Sequence, residues 1–248
     1  MKKILALVLV AVLALSVLVA CGGEKEDVNA KSEGTMTYDK FVDAELDSAV
    51  VIEGYIQSVN YSAQWHNVSL FLADGDGAYY VYRLACDDAL AAKLTKGTKV
   101  KVSGHKAEWA GEVEINCEND DTATIEVLSG NYIAEAKDVT SLLGTDDLIK
   151  NINRFVSFKG MKVEAANEEG AAFLYNWDGS GVEGSDLYFN VSLNGTTYQF
   201  MVESDECGVD SDVYKKVTSW KVGDTVDLEG FLYWYNGAQP HVQSAVVK

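Results

Sequence analysis

Positive charge is scarce in this chain of 248 residues. It carries 20 lysines and arginines against 38 aspartates and glutamates, a formal net charge of −18, and Arg83 and Arg154 are its only arginines. Because phosphate contacts need clustered lysine and arginine, this balance argues against a general nucleic-acid binder. The hydrophobic fraction of 48% is high enough for a packed core, which excludes a wholly disordered chain.

Recognisable catalytic motifs are also lacking. The sequence has no Gly-x-Ser-x-Gly, His-Glu-x-x-His, Cys-x-x-Cys or phosphate loop, and His66, His105 and His241 are far apart. The stretch Asp74-Gly-Asp-Gly77 resembles the start of a calcium loop but lacks the later acidic ligands, so we interpret it as a turn. We therefore expect no enzyme, no cofactor and no metal site.

The N-terminus has the pattern of a secretory signal peptide at residues 1–20. A basic start precedes an apolar run broken only by Ser16, and small residues follow. The stretch Leu18-Val-Ala-Cys21 resembles the bacterial lipobox, whose cysteine becomes a lipid-modified mature N-terminus. The resemblance implies a lipoprotein outside the cytoplasm, held on the bacterial cell membrane by lipid on Cys21. An uncleaved N-terminal membrane anchor is the alternative.

A repeat follows this N-terminal region. Residues 21–35 are small or charged and predict a flexible tether. Beyond them, three glycines recur with the same spacing and with matching apolar neighbours: Gly97, Gly104 and Gly111, then Gly223, Gly230 and Gly237. A turn-rich cluster at 129–131 separates the copies. We therefore predict a first domain at 36–129 and a second domain, with enlarged loops, at 130–248.

Each copy has the pattern of a small β-barrel. In the first, alternating apolar residues predict strands near 50–56, 68–72, 78–84, 100–102 and 113–117, with helices at 37–46 and 87–94. The phrases Val-x-Ile-x-Gly-Tyr-Ile and Lys-Gly-Thr-Lys-Val-Lys-Val-Ser-Gly, in this order of elements, resemble the OB-fold, a five-stranded Greek-key barrel. The resemblance implies a mainly β chain with two tandem OB-fold barrels and short helices, as in bacterial lipoproteins that largely lack an assigned function.

Aromatic residues occupy the positions where the OB-fold binds ligands, on strands two and three and in the adjoining loops. In the third strand we expect Tyr80 and Tyr82 to point outward and Tyr79 and Val81 inward. The ten candidates are Trp65, Phe71, Tyr80, Tyr82, Trp109, Tyr188, Tyr198 (or its neighbour Gln199), Tyr233, Trp234 and Tyr235. Alternatively, these side chains cap the barrels or form an interface between the two copies.

The cysteines allow one disulfide within a domain. Apart from Cys21, the chain has Cys86, Cys117 and Cys207, an odd count. A bond between Cys86 and Cys117 would join the third strand to the fifth. The alternative is that all three are buried thiols.

Together these features predict a non-enzymatic cell-surface binding or interaction module. Its partners would be the membrane, through the N-terminal lipid, and an unidentified ligand, with a neutral oligosaccharide or a protein favoured over nucleic acid. The alternatives are an OB-type nucleic-acid-binding protein and a structural envelope protein. A groove free of lysine would favour ligand binding, converging basic residues would favour nucleic acid, and a groove filled by the other domain would favour the structural role.

The lipobox resemblance yields a direct prediction. Replacing Cys21→Ala should release the protein from the membrane fraction, because the acyl chains contribute ~0.8 kcal/mol per buried methylene to membrane binding. Fractionation of cells followed by immunoblotting measures the result. Membrane retention together with an uncleaved N-terminus would contradict the lipoprotein interpretation.

Overall fold

The computed structural model describes residues 27–248. The predicted signal peptide and the predicted lipid site at Cys21 lie outside the described residues. Within 27–248, no helix is both long and apolar enough to cross a membrane. Most of this region forms β-strands that belong to two sheets.

The first sheet is preceded by one short helix and interrupted by another. In chain order its elements are α1 (Tyr38–Asp43), β1 (Ala49–Ser62), β2 (Asn67–Ala73), β3 (Ala78–Ala85), α2 (Asp88–Ala91), β4 (Thr98–Trp109), β5 (Glu112–Asn116) and β6 (Thr124–Asn131). Strand β1 pairs antiparallel with both β2 and β4, β2 pairs with β3, β4 pairs with β5, and β3 runs parallel to β5. These pairings close five strands into a barrel in the order of the OB-fold.

The second sheet contains the same closed circuit. Its elements are β7 (Lys137–Asp138), β8 (Phe155–Glu164), β9 (Leu174–Tyr175), β10 (Leu187–Leu193), β11 (Thr196–Val202), α3 (Asp212–Val217), β12 (Thr225–Phe231) and β13 (His241–Val247). Strand β8 pairs with β10 and β12, β10 with β11, β12 with β13, and β11 runs parallel to β13. The predicted mainly β class with five-stranded barrels is therefore confirmed.

Two of the repeated glycine positions have a clear structural reason. Gly97 and Gly223 precede β4 and β12, and both adopt a positive φ, +93° and +97°, a conformation that side chains disfavour. Gly54 lies where β1 changes partner from β4 to β2. A Cβ there would lie 3.1 Å from the Cβ of Leu72, so glycine permits the close approach of the two strands.

Each barrel encloses its own hydrophobic core. Ile52, Leu72 and Tyr79 are fully buried in the first, and Phe158 and Phe200 are fully buried in the second. In the second core the rings of Phe158 and Phe200 meet edge to face, with centroids 4.8 Å apart. The apolar alternation in the sequence therefore corresponds to the inward-facing positions of two separate cores.

Three details differ from the sequence-based expectations. Strand β6, which pairs with β4 outside the barrel circuit, was not predicted, and the predicted boundary between 129 and 130 falls within it. The helices α1 and α2 are shorter than the predicted 37–46 and 87–94. Each helix begins where expected, with a side-chain cap from Thr37 or Asp87.

The predicted tether also differs, because residues 27–35 lie against the first barrel. The ammonium group of Lys31 donates to Asp74 Oδ2 at 2.6 Å and to the carbonyl of Glu53, and the backbone N–H of Ser32 donates to the Glu53 carboxylate. Lys99 lies 3.3 Å from the same carboxylate and donates to the carbonyl of Ala30. Buried carboxylates require such partners, which explains why this polar segment is held on the barrel.

The possible disulfide is not formed. Among the described residues, Cys86, Cys117 and Cys207 are all free and buried, which corresponds to the alternative of three thiols. The Cys86 sulfur faces the carbonyl of Asp87, whereas the Cys117 sulfur faces the carbonyls of Ser103 and Ile115. The two sulfurs thus have different neighbours although both side chains belong to the first core.

The two barrels are joined by aromatic packing and by a short hydrogen-bonded junction. The rings of Phe71 on β2 and Phe231 on β12 stack with centroids 4.2 Å apart and planes 5° apart. In the junction, the backbone N–H of Trp234 donates to Glu112 Oε2 at 2.9 Å, and Asn153 Nδ2 donates to the carbonyl of Val113. Glu112 is fully buried there, and burial raises its pKa to about 8.

This carboxyl predicts how stability depends on pH. A carboxyl whose pKa is higher in the folded than in the unfolded protein binds more protons when folded, so stability falls as pH rises from about 4.5 to about 8. The fall contributed by Glu112 is at most ~1.4 kcal/mol per pH unit. Glu112→Gln should reduce the slope, as measured by urea unfolding across this range.

In Glu112→Gln, stability should still fall somewhat as pH rises, because burial also raises the pKa of Glu114, to about 7. The matched control is Glu169→Gln, which removes the same charge from an exposed loop and should leave the slope unchanged. An unchanged slope in Glu112→Gln would show that Glu112 is ionised in the folded protein.

Candidate functional site

A cleft of about 750 Å³ lies between the two barrels, a volume typical of ligand sites. The first barrel contributes side chains from β1, β3 and β4, and the second contributes side chains from β10, β11, β13 and the adjoining loops. The lining residues are Asn60, Tyr80, Tyr82, Trp109, Trp177, Tyr188, Gln199, Met201, Glu203, Glu206, Tyr233, Tyr235, Asn236, Gln239 and His241. Seven are aromatic, and none of these described lining residues is lysine or arginine.

The alternation of β3 explains how the first barrel presents its tyrosines. Tyr79 and Val81 are fully buried in the core, whereas Tyr80 and Tyr82 point to the other face and line the cleft. This is the register that the sequence predicted. The ring of Tyr80 meets the ring of Tyr233 from the second barrel nearly perpendicularly, with centroids 5.7 Å apart.

Six of the ten predicted aromatic residues line this one cleft. They are Tyr80, Tyr82, Trp109, Tyr188, Tyr233 and Tyr235. Trp109 is 63% exposed and lies at the end of β4, so its ring is available at the cleft. The fold therefore brings together side chains that are up to 155 positions apart in the sequence, from Tyr80 to Tyr235.

The other four predicted residues lie elsewhere. Phe71 is buried against Phe231 in the contact between the barrels. Trp65 lines a separate pocket on the first barrel together with Arg83. Tyr198 packs against the second core, and Trp234 is partly buried at the junction between the barrels.

Sequence reasoning missed Trp177 and the ionisable residues of the cleft. Trp177 lies in the loop between β9 and β10, where the second copy is longer than the first, and its side chain is 71% exposed. Glu203 and Glu206 directly follow β11, and His241 begins β13. The extra loop length was visible in the sequence, but its approach to the first barrel depends on how the barrels pack.

His241 is a buried imidazole in the cleft wall, paired with a carboxylate. Its Nδ1 lies 3.3 Å from Glu206 Oε1, and Gln243 Nε2 donates to the other oxygen of Glu206 at 2.6 Å. Burial lowers the pKa of His241, but the hydrogen bond and charge of Glu206 outweigh burial and raise it above the usual value. The Tyr233 ring covers the imidazole, with centroids 4.5 Å apart.

Unlike Glu206, Glu203 has no hydrogen bond or ion pair to its side chain among the described residues. Burial raises its pKa to about 7, against the opposing charge of His241. The neighbouring Asp186 is occupied by hydrogen bonds from the backbone and hydroxyl of Ser204. Residues 27–248 contain no group of three histidine, cysteine or acidic side chains placed to hold a metal ion.

Comparison with known proteins gives no family. No protein-family model and no curated protein matches the sequence. Among solved structures, the aspartyl-tRNA synthetase from Entamoeba histolytica is 19% identical over 40% of this chain and 22% of that chain, with a TM-score of 0.31. This chain thus spans about a fifth of that enzyme's length.

Two further structures are smaller proteins. The hypothetical protein ygiW from E. coli is 18% identical over 40% of this chain and 94% of its own, with a TM-score of 0.28. A deletion mutant of the single-stranded DNA binding protein from Thermus aquaticus is 14% identical over 81% of this chain and 93% of its own, with a TM-score of 0.27. Sequence identities and TM-scores this low assign no ligand to this chain.

The pairing of His241 with Glu206 can be tested. Glu206→Ala should leave a buried imidazole without its partner, so the pKa of His241 should fall below its usual value and the protein should lose ~3 kcal/mol of stability. The pKa is measured by NMR titration of the ring protons and the stability by urea unfolding. Asp205→Ala, which changes an exposed neighbour, is the control; an unaltered His241 pKa in Glu206→Ala would contradict the ion pair.

Proposed function

We propose that this chain is a non-enzymatic binding module that takes an uncharged or cationic organic ligand in the cleft between its barrels. The carrying observation is an open cleft with seven aromatic side chains and, among the described lining residues, no lysine or arginine. Within this class, a neutral oligosaccharide suits the walls. Aromatic faces pack against the apolar faces of sugar rings, and four amide side chains are available to exchange hydrogen bonds with hydroxyl groups.

Two exposed tryptophans in the cleft lining support the same proposal. Trp109 from the first barrel and Trp177 from the second are both more than half exposed. Exposed apolar side chains that line one groove together, unlike scattered single ones, mark interaction sites. The two indoles come from different barrels, so each barrel offers an exposed indole to a ligand in the cleft.

Nucleic acid is the less favoured ligand. Stacking on tyrosine and tryptophan is worth ~1–3 kcal/mol per base, which these rings are able to supply. Phosphate groups, however, would approach Glu203 and Glu206 in a cleft whose described lining has no lysine or arginine and whose histidine, His241, is paired with Glu206. That field repels an anionic strand.

One specific observation favours the alternative, a structural envelope protein. Phe71 lies on the predicted ligand-binding face of the first barrel, yet Phe231 of the second barrel covers it. We assign this part of the face to the contact between barrels and the remainder to the ligand. Membrane attachment through lipid on Cys21, outside the cytoplasm, remains part of the proposal on the strength of the lipobox-like sequence.

Binding by the cleft can be tested with a matched tryptophan pair. Trp109→Ala should weaken binding of a neutral oligosaccharide roughly tenfold, because it removes one stacking surface. Trp65→Ala removes a similarly exposed indole outside the cleft and should leave the affinity unchanged. Calorimetric titration of the full chain against a glycan panel and a single-stranded oligonucleotide gives the affinities.

Two results would overturn the proposal. The first is glycan binding that Trp109→Ala and Tyr233→Ala leave intact. The second is tight oligonucleotide binding at physiological salt that disappears in Tyr80→Ala.

A further inference from the structure

Glu203 is the lining carboxylate that no protein group satisfies. In the part of the chain that the structure describes, no hydrogen bond or ion pair reaches its side chain, whereas Glu206 holds His241 and Gln243. The Glu203 side chain is half-buried, and this burial raises its pKa because a carboxylate that loses water without gaining a partner is costly to ionise. The free protein therefore leaves one acidic group in the cleft wall unmatched.

The surroundings of this carboxylate are acidic as well. Asp186, Asp205 and Glu206 all raise its pKa through their charges, and His241 alone opposes them. The charge of His241 is already engaged by Glu206 at 3.3 Å. A cationic group entering the cleft would meet a net negative field.

Three tyrosine rings line the cleft together with Glu203. Burial raises the pKa values of Tyr80, Tyr188 and Tyr233, and the charge of Glu203 adds to the rise at each of them. Tyr80 belongs to the first barrel and the other two belong to the second, so both barrels contribute rings to the cleft walls that Glu203 shares. Aromatic faces attract cations, most strongly where water is excluded.

We propose that the cleft binds an organic cation whose ammonium group lies beside the Glu203 carboxylate and against the tyrosine rings that line the cleft. The proposal rests on the proposed function and states that, of its two ligand classes, a cationic ligand binds more tightly than an uncharged ligand of the same shape. An uncharged ligand uses the rings and the amides but leaves Glu203 unmatched. A ligand that carries an ammonium group contacts the rings, the amides and Glu203.

The test compares two probes of the same shape on the full chain. Choline carries a trimethylammonium group, and its uncharged carbon analogue carries a tert-butyl group in the same place. At about pH 8, where the Glu203 carboxyl is mostly ionised, choline should bind roughly tenfold more tightly by calorimetric titration. Glu203→Gln should abolish this preference, whereas Glu169→Gln, which removes an exposed charge outside the cleft, should preserve it.

The outcomes separate the two proposals. Equal binding of choline and its analogue would overturn the cation inference while leaving the cleft as a binding site for uncharged ligands. Binding of neither probe, together with Trp109-dependent glycan binding, would overturn the inference alone, and binding of no probe at all would overturn both. If Glu203→Gln fails to fold, the paired comparison on the wild-type protein decides, and added salt should reduce the advantage of choline.

Discussion

The contact between Phe71 and Phe231 is the interaction on which the rest of the molecule's organisation depends. Each barrel is complete in its strand pairing and core, but the cleft exists only because the barrels meet along one edge. The stacked rings are both 2% exposed, and the aromatic packing continues from them through Tyr80 and Tyr233 to the cleft. Nearby hydrogen bonds at Glu112 and Ala110 hold the loop that carries Tyr233 and Tyr235. Site geometry therefore follows from packing between barrels.

The barrels themselves were predictable because their signals are local. Apolar alternation identified the strands, and the repeated glycines marked turns and close approaches that both copies need. The strand β6 was not predicted because it lies at the edge of the sheet and its side chains are mostly exposed. The position of residues 27–35 could not be predicted from the sequence for another reason. It depends on Lys31 reaching Asp74, 43 positions away, which no local pattern in a charged segment reveals.

The presence of aromatic side chains on the outer face was predictable from the sequence. Which of them contact the other barrel and which line the cleft was not. Phe71 and Tyr80 are direct cross-strand partners on β2 and β3, with ring centroids 4.7 Å apart. In the sequence both have the same meaning, an aromatic side chain on the outer face of a barrel. Such a residue suits a ligand or a second barrel equally well, because both bury apolar surface. The arrangement of the barrels makes Phe71 an interface residue and leaves Tyr80 in the cleft.

The scarcity of positive charge becomes specific once the cations are located. Arg83 pairs with Glu118 at 2.6 Å, and Arg154 lies over the ring of Tyr38 and donates to the carbonyl of Asp76. Lys31 and Lys99 are committed to the buried carboxylates Asp74 and Glu53. Composition alone predicted an acidic surface, but not that neither arginine would line the cleft, although Arg83 lies over the ring of Tyr82, 5.0 Å from its centroid. Because Glu206 pairs with His241, Glu203 is left as the described lining carboxylate that has no paired cationic group.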